Sequence, residues 1–376
     1  MIYLDYSATT KTDPRVLETF VKVTNDFPGN PNSLHKLGLE SKKIIDASTK
    51  QIATLLNIKE TEIIYTSGAT ESNNTAIFGI TEKYPQRNKR IISTYLEHSS
   101  ITEGLNYLEK KGYEIDYVKL NENGSINLDD LKEKLKKEPL LVTISSVNSE
   151  IGIHQNLKEI YKVIKEISPK TIFHSDITQS IGKVKEDLNY LDLASLSAQK
   201  FYGIKGIGLL IKKENIEIEP IIKGGKSTTK YRSGTPSPAL VASLAKALRL
   251  ALEELERDYK YVKELNNYLI EKLKMISNIH INSTDISIPH IINISIKNIK
   301  PETILHALEQ EEIYISTKTA CSSKNNMSIA VYELTKDNIL ANSSIRISIS
   351  KYTTKEEIDI FYKTLIDKIN SLNLLK

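Results

Sequence analysis

Short apolar runs and helical apolar stripes alternate along most of this chain. Residues 33–57, SLHKLGLESKKIIDASTKQIATLLN, set Ile45, Ile52, Leu55 and Leu56 at helical spacing and predict an amphipathic helix. Short runs rich in β-branched residues follow: EIIYT (62–66), RIIST (90–94), YEIDYV (113–118) and LLVTISSV (140–147). TIFHSD (171–176), LASLS (193–197) and GIGLLIK (206–212) continue the series, and each reads as a strand. Helical patterns fill most of the gaps. Strands alternating with helices predict an α/β unit with a mostly parallel, doubly wound sheet and helices on both faces. Ligands of such sheets lie beyond the carboxyl ends of the strands, so the residue after each run is where chemistry is sought.

The pattern changes after residue 236. SPALVASLAKALRLALEELERDYKYVKELNNYLIEKL predicts a long helical stretch. Beyond it, HIINISI (290–296) and SSIRISI (343–349) read as strands, PETILHALEQ (301–310) as a helix, and a closing helix starts near 354. These elements make a smaller α+β unit. The expected organisation is a large domain over residues 13–255 and a small one made of residues 1–12 and 256–376.

Composition changes this picture little. With 376 residues the chain has room for two ordinary domains, and 40% hydrophobic with 26% charged residues is globular usage. Fifty-one basic against 47 acidic residues leave a net charge of +4, which gives no reason to expect nucleic-acid binding. Mixed-sign runs such as LKEKLKKE (131–138) read as solvated helix faces. No stretch approaches the roughly 18 apolar residues of a membrane span. The opening MIYLDYSATTKTDP carries acids and no apolar core, so it is expected to be folded structure rather than a secretory leader. A single cysteine, Cys321, excludes an intrachain disulfide and argues against a cysteine-based metal cluster; no metal is expected, and the expected compartment is the cytoplasm.

Four features stand at strand ends. TSGATESNN (66–74) opens a helix with small residues and the Thr70 hydroxyl, as a phosphate cradle does, although the same residues serve equally well as an ordinary N-cap. Asp176 closes the strand TIFHSD and is either a helix cap or a buried carboxylate awaiting a cation, with Gln179 three residues on. His98, in YLEHSS, follows another strand. Lys200, in SLSAQKFYGIKGIG, follows Ser197 and is hemmed in by small residues, an odd setting for a solvated charge. A phosphate site, an acid, a flat ring and a lysine at one sheet edge are what pyridoxal 5′-phosphate (PLP) requires: an anchor, a partner for the pyridine nitrogen, a stacking surface and a Schiff-base amine.

At these residues the chain resembles the cysteine desulfurases, within the class V aminotransferase group of fold-type-I PLP enzymes. The resemblance spans nearly the whole length and rests on YLDYSATT (3–10), GNPNSLH (29–35), TSGATESNN, EHSS, VNSEIG (147–152), HSDITQSIGK (174–183), SAQKFYGIKGIG (197–208), RSGT (232–235), TACSS (319–323) and SSIRIS (343–348), in the family's order.

The resemblance implies that Lys200 carries the cofactor and moves the proton, that Asp176 pairs with the pyridinium and that His98 stacks on the ring and takes part in catalysis. It further implies that Gln179, Asn148 and Ser149 attend the ring hydroxyl, and that Ala69, Thr70, Ser197 and Gln199 attend the phosphate, joined by Thr235 from the other subunit of a homodimer. Arg346, with Asn32, would bind the carboxylate of L-cysteine, a task suited to a guanidinium fork. Cys321, on the small domain with Arg346, would take the sulfur as a persulfide and pass it to an acceptor protein in iron–sulfur cluster assembly or tRNA thiolation. The polar setting STKTACSSKNNMS agrees with a working thiol, and Lys318 and Lys324 favour its thiolate.

Three departures from the family pattern stand out: Gln199 where histidine is usual, Ser149 where asparagine is usual, and GGKSTTKYRSGT in place of a glycine-rich run. Gln199 and Ser149 motivate the alternative of a slow or degenerate sulfur-transfer protein; a selenocysteine lyase or another class V aminotransferase-like enzyme, with the same fold and different chemistry, is the other alternative.

Overall fold

A computed structural model of the chain describes residues 1–225, 227–317 and 327–374. The chain starts with a two-residue strand, β1 (Ile2–Tyr3), and then α1 (Pro14–Asp26). Pro14 opens α1 with its φ already set, and the Asp13 carboxylate accepts from Arg15 N–H as N-cap. The predicted helix at 33–57 is α2 (Lys36–Leu56), capped by His35 Nδ1 and closed by Asn57 in the left-handed conformation.

The alternating section forms β2 (Ile63–Thr66), α3 (Ala69–Lys83), β3 (Arg90–Ser93), α4 (Ser99–Lys110), β4 (Glu114–Tyr117) and α5 (Leu128–Leu135). It continues as β5 (Leu141–Thr143), α6 (Leu157–Ile167), β6 (Ile172–Asp176), β7 (Leu193–Ser197) and β8 (Gly208–Lys212). These seven strands form one sheet in the order β2-β8-β7-β6-β5-β3-β4. All pairings are parallel except those of β8, which runs against both β2 and β7. The carboxyl ends of β2, β3, β5, β6 and β7 therefore share one edge, and Gly208 enters the sheet at that same edge.

Apolar residues cover both faces of the sheet. Neighbours on β2 divide between them: Ile63 joins a core with Val16, Ile52, Phe173 and Leu248, and Ile64 joins another with Ile77, Ile91 and Leu105. The run expected as a strand over 140–147 is ordered as one only to Thr143. Residues 145–149 leave the sheet instead, and Ser145, Val147 and Ser149 wall the cavity described below.

The stretch after 236 is two helices, α7 (Pro238–Glu253) and α8 (Leu255–Leu273), rather than one. Glu254, at φ −93° and ψ −3°, breaks it, and its carboxylate takes Lys351 at 2.6 Å and Arg15 at 3.0 Å. Helical periodicity runs on through the break, so the apolar pattern alone does not reveal it.

The remaining elements are β9 (Ile279–Ile281), β10 (Ile291–Ile296), α9 (Pro301–Glu309), β11 (Ile313–Tyr314), α10 (Ile329–Thr335), α11 (Asn338–Asn342), β12 (Ser344–Ser348) and α12 (Lys355–Leu374). An antiparallel sheet, β12-β10-β9, packs with α8, α9 and α12 around a separate core that includes Val262, Ile294, Ile345 and Phe361. Leu4 belongs to this second core, and β1 pairs in parallel with β11. Among the described residues no helix is long and apolar enough to cross a membrane.

His174 ties the middle of the large sheet together. Its Nδ1 meets Thr143 Oγ1 on β5 and its Nε2 meets Ser195 Oγ on β7, both at 2.9 Å. Burial holds the ring at about 4, against the opposing pull of Asp176. The unfolded chain then binds a proton that the fold refuses, so stability should fall as pH drops from about 6.5 toward about 4. Urea unfolding at a series of pH values is expected to show that slope reduced in His174→Gln. Parallel pH profiles for the two proteins would contradict it.

Candidate active site

The loops after the carboxyl ends of β2, β3, β5, β6 and β7 surround a cavity of about 330 Å³. Its walls include Gly68, Ala69, Thr70, His98, Ser149, Asp176, Gln179, Ser197, Gln199, Lys200 and Arg346.

One end is a helix N-terminus. Gly68 is the N-cap of α3 and supplies no side-chain capping bond, so the first-turn N–H groups beside Thr70 have no N-cap side chain among the described residues. Such a terminus attracts anions through its N–H groups and its dipole. The carboxylate nearest to it, Glu71, is occupied elsewhere, accepting from Ser67 N–H at 2.7 Å and Arg232 Nε at 2.9 Å. Burial opposes ionisation of Glu71, but these donors outweigh it and keep the carboxyl below its usual range. Gly68 has φ +153°, a conformation available only to glycine.

Asp176 also lines the cavity, buried at the end of β6. Its Oδ1 accepts from Thr178 N–H at 2.9 Å and its Oδ2 from Asn73 Nδ2 at 2.8 Å. No helix follows Asp176, so the helix cap that the sequence offered is not what it forms; it is a buried carboxylate that also accepts from the turn at Thr178. His98 is the N-cap of α4; burial is the main cause that lowers its basicity.

Lys200 ends the turn after β7. Its ammonium is 2.6 Å from the Ser7 carbonyl and 2.5 Å from that of Ala8. Gln179 Nε2 reaches the same Ser7 oxygen at 2.9 Å, while its Oε1 accepts from Lys183 at 2.7 Å. Lys183 is buried, and desolvation, with Lys200 and Arg346 nearby, pulls it down to about 7. The Gln199 carbonyl is fixed by Thr10 through both N–H and hydroxyl, at 2.9 Å each.

Arg346, on β12, brings a guanidinium to the cavity from the other core although the residue is only 2% exposed. Its Nη2 pairs with Asp5 at 2.7 Å and its Nη1 donates to the Ser149 carbonyl at 3.0 Å; Nε has no partner among the described residues.

Three of the expected residues do not line the cavity. Asn148 is buried beside it, with its Nδ2 on the Leu96 carbonyl and its Oδ1 accepting from the Glu150 and Ile151 N–H groups. Asn32 and Thr235 are exposed. Cys321, with Lys318 and Lys324, lies outside the described residues. Sequence reasoning did not single out Asp5, Asn73, Ser100, Glu97 and Lys183. Asn73 and Asp5 sat inside quoted motifs, TSGATESNN and YLDYSATT, but their partners are distant in sequence. Glu97 accepts from Ser145 N–H and Oγ and from Thr94 Oγ1; burial, aided by Asp176, lifts it to about 7. Among the described residues no three His, Cys, Asp or Glu side chains gather as for a metal.

The donor set fits PLP. An uncapped helix N-terminus suits its phosphate, a buried carboxylate its ring nitrogen, and a primary amine lines the same cavity.

The family model described as aminotransferase class-V matches residues 2–361. The chain is 40% identical to a "NifS/IcsS protein homolog" of Lactobacillus delbrueckii subsp. bulgaricus, covering 96% of this chain and 95% of that one. It is 38% identical to "Cysteine desulfurase IscS" of Buchnera aphidicola subsp. Baizongia pistaciae, covering 100% and 94%. A solved "NIFS-LIKE PROTEIN" superposes with a TM-score of 0.93 at 32% identity, covering 98% of this chain and 99% of that one.

Gly208 keeps the anion end open. A Cβ there would lie 2.4 Å from the Leu196 carbonyl oxygen and 2.7 Å from Gly68 Cα, both backbone atoms that cannot swing aside. Gly208→Ala is therefore expected to displace the Gly68 turn and weaken retention of PLP about tenfold or more, a loss of roughly 1.4 kcal/mol. Equilibrium dialysis against free PLP checks this, and unchanged affinity would contradict it.

Proposed function

The chain belongs to the class V aminotransferase family, and from that membership we propose that it is a PLP-dependent cysteine desulfurase, converting L-cysteine to L-alanine and capturing the sulfur as a persulfide on Cys321. The observation that carries this reading is the single cavity in which Lys200, Asp176 and the uncapped N-terminus of α3 face a guanidinium, Arg346. When bound there, PLP supplies an electron sink and a carbonyl carbon that can join an amine.

The chain's own residues divide the remaining work. The α3 N-terminus, with Ala69, Thr70 and Ser197, grips the phosphate, and Gln199 lines the same wall. Asp176 holds a proton on the ring nitrogen, which favours electron withdrawal. Gln179 offers an N–H to the ring hydroxyl while Lys183 occupies its carbonyl oxygen. His98 covers one face. Arg346 binds the substrate carboxylate, aided by Asn32. Lys200 takes a proton from the substrate and returns it to the carbon that becomes the alanine methyl group.

The Cys321 thiolate attacks the substrate sulfur, so the S–S bond forms as the C–S bond breaks and the carbon fragment keeps the electron pair. In net terms cysteine and one enzyme thiol give alanine and one enzyme persulfide, with no outside oxidant. The persulfide sulfur then passes to an acceptor protein. Thr235, exposed and not in the cavity wall, suits a homodimer in which it completes the neighbour's phosphate site.

Two substitutions separate these roles. Lys200→Ala should abolish alanine release, by at least about a hundredfold on the usual scale of proton-transfer catalysis, and lose the visible absorbance of bound cofactor. Retention of both at wild-type level would overturn the assignment. Cys321→Ser should keep the cofactor absorbance and its response to cysteine, yet form no protein persulfide, because a neutral hydroxyl is a poor nucleophile toward sulfur. With one cysteine in the chain, persulfide detected on the mutant protein would contradict the proposal.

A further inference from the structure

His98 is wired to Asp176 through two side chains outside the roles given above. The backbone N–H of Ser100 lies 3.1 Å from His98 Nδ1, and the Ser100 hydroxyl lies 2.8 Å from the same atom. A backbone N–H can only donate, so Nδ1 is an acceptor. Ser100 Oγ in turn accepts from Asn73 Nδ2 at 2.9 Å, and that amide group gives its other proton to Asp176 Oδ2 at 2.8 Å. With Oγ engaged as an acceptor, its own proton goes to Nδ1. Asn73 is fully buried, and its Oδ1 has no partner among the described residues, so the amide is oriented by what it donates.

We propose that Ser100, held by Asn73, is a positioning residue that fixes His98 as the neutral tautomer with its proton on Nε2. His98 then offers the cavity a hydrogen-bond donor and an uncharged ring face. It resists becoming an imidazolium because the Ser100 N–H and hydroxyl protons both point at Nδ1. The charged groups acting on the ring are balanced: Asp176 and Glu150 favour the cation, whereas Lys200 and Arg346 oppose it. The inference rests on the proposed PLP site for its use, since an uncharged ring can lie on a protonated pyridine without repulsion. Its geometry is independent of that site.

The test is long-range ¹H–¹⁵N correlation on the purified full chain labelled at histidine, with the His98 signal identified by its loss in His98→Gln. Between about pH 5 and 8, where an ordinary histidine changes charge, His98 should show an unprotonated Nδ1, a protonated Nε2 and no titration. Ser100→Ala removes only the hydroxyl donor while burial and the backbone N–H remain, so the His98 midpoint should rise only partway toward the unperturbed value of about 6.5, and Ser100→Thr should restore the wild-type pattern. A proton on Nδ1, titration in the wild type, or an unchanged signal in Ser100→Ala would overturn the proposal. The spectra do not depend on turnover: a protein that shows this pattern but releases no alanine from cysteine would overturn the desulfurase reading and support this one.

Discussion

Two backbone carbonyls, those of Ser7 and Ala8, hold the Lys200 ammonium at 2.6 and 2.5 Å, and the rest of the cavity is arranged around that contact. An amine drawn into a protein wall needs acceptors to replace water, and charge-assisted bonds of this kind are worth more than neutral ones. The acceptors come from a segment 190 residues away in sequence, which the fold must deliver. It does so by stitching residues 4–10 to both cores. Leu4 is buried in the small core, Ser7 N–H donates to Ser348 Oγ at 2.9 Å, and Thr10 bonds the Gln199 carbonyl and the Tyr202 N–H. The position of the lysine therefore depends on how the two cores are joined.

The charges of the site are sorted by the same construction. The uncapped α3 terminus and Arg346 are positive ends, and Asp176 is the acid between sheet and cavity. Each carboxylate that could compete is engaged: Glu71 by Arg232, Asp5 by Arg346. Removing one partner of a pair as buried as Asp5–Arg346 leaves a charge uncompensated, so Asp5 fixes the guanidinium in place. Burial does the complementary work on Glu97 and Lys183, both brought to about 7, and on His98, so that unwanted charge is discouraged next to the reactive groups.

The parallel sheet, the smaller α+β unit and the residues at strand ends were legible because each depends on local pattern. Periodicity gave Ile45 and Ile52 their helix, and the rule that ligands bind beyond strand ends pointed to His98, Asp176 and Lys200. What was not legible depends on contacts distant in sequence. Asn73 is 103 residues from Asp176 and Asp5 is 341 from Arg346, and neither spacing announces a bond. The early end of β5 and the break at Glu254 escaped for the opposite reason: apolar pattern continues through both, and tertiary partners decide where the backbone turns. Asn148, expected at the cofactor, spends its amide on the turn that shapes the wall instead.

The central claim is that Lys200 is the amine that carries PLP. Borohydride treatment of the PLP-loaded protein, followed by proteolysis and peptide mass mapping, tests it at one atom. The account predicts a single pyridoxyl mass increment on Lys200, with the peptide carrying the buried Lys183 unmodified. An increment on Lys183 or any other lysine, with Lys200 unmodified, would contradict it.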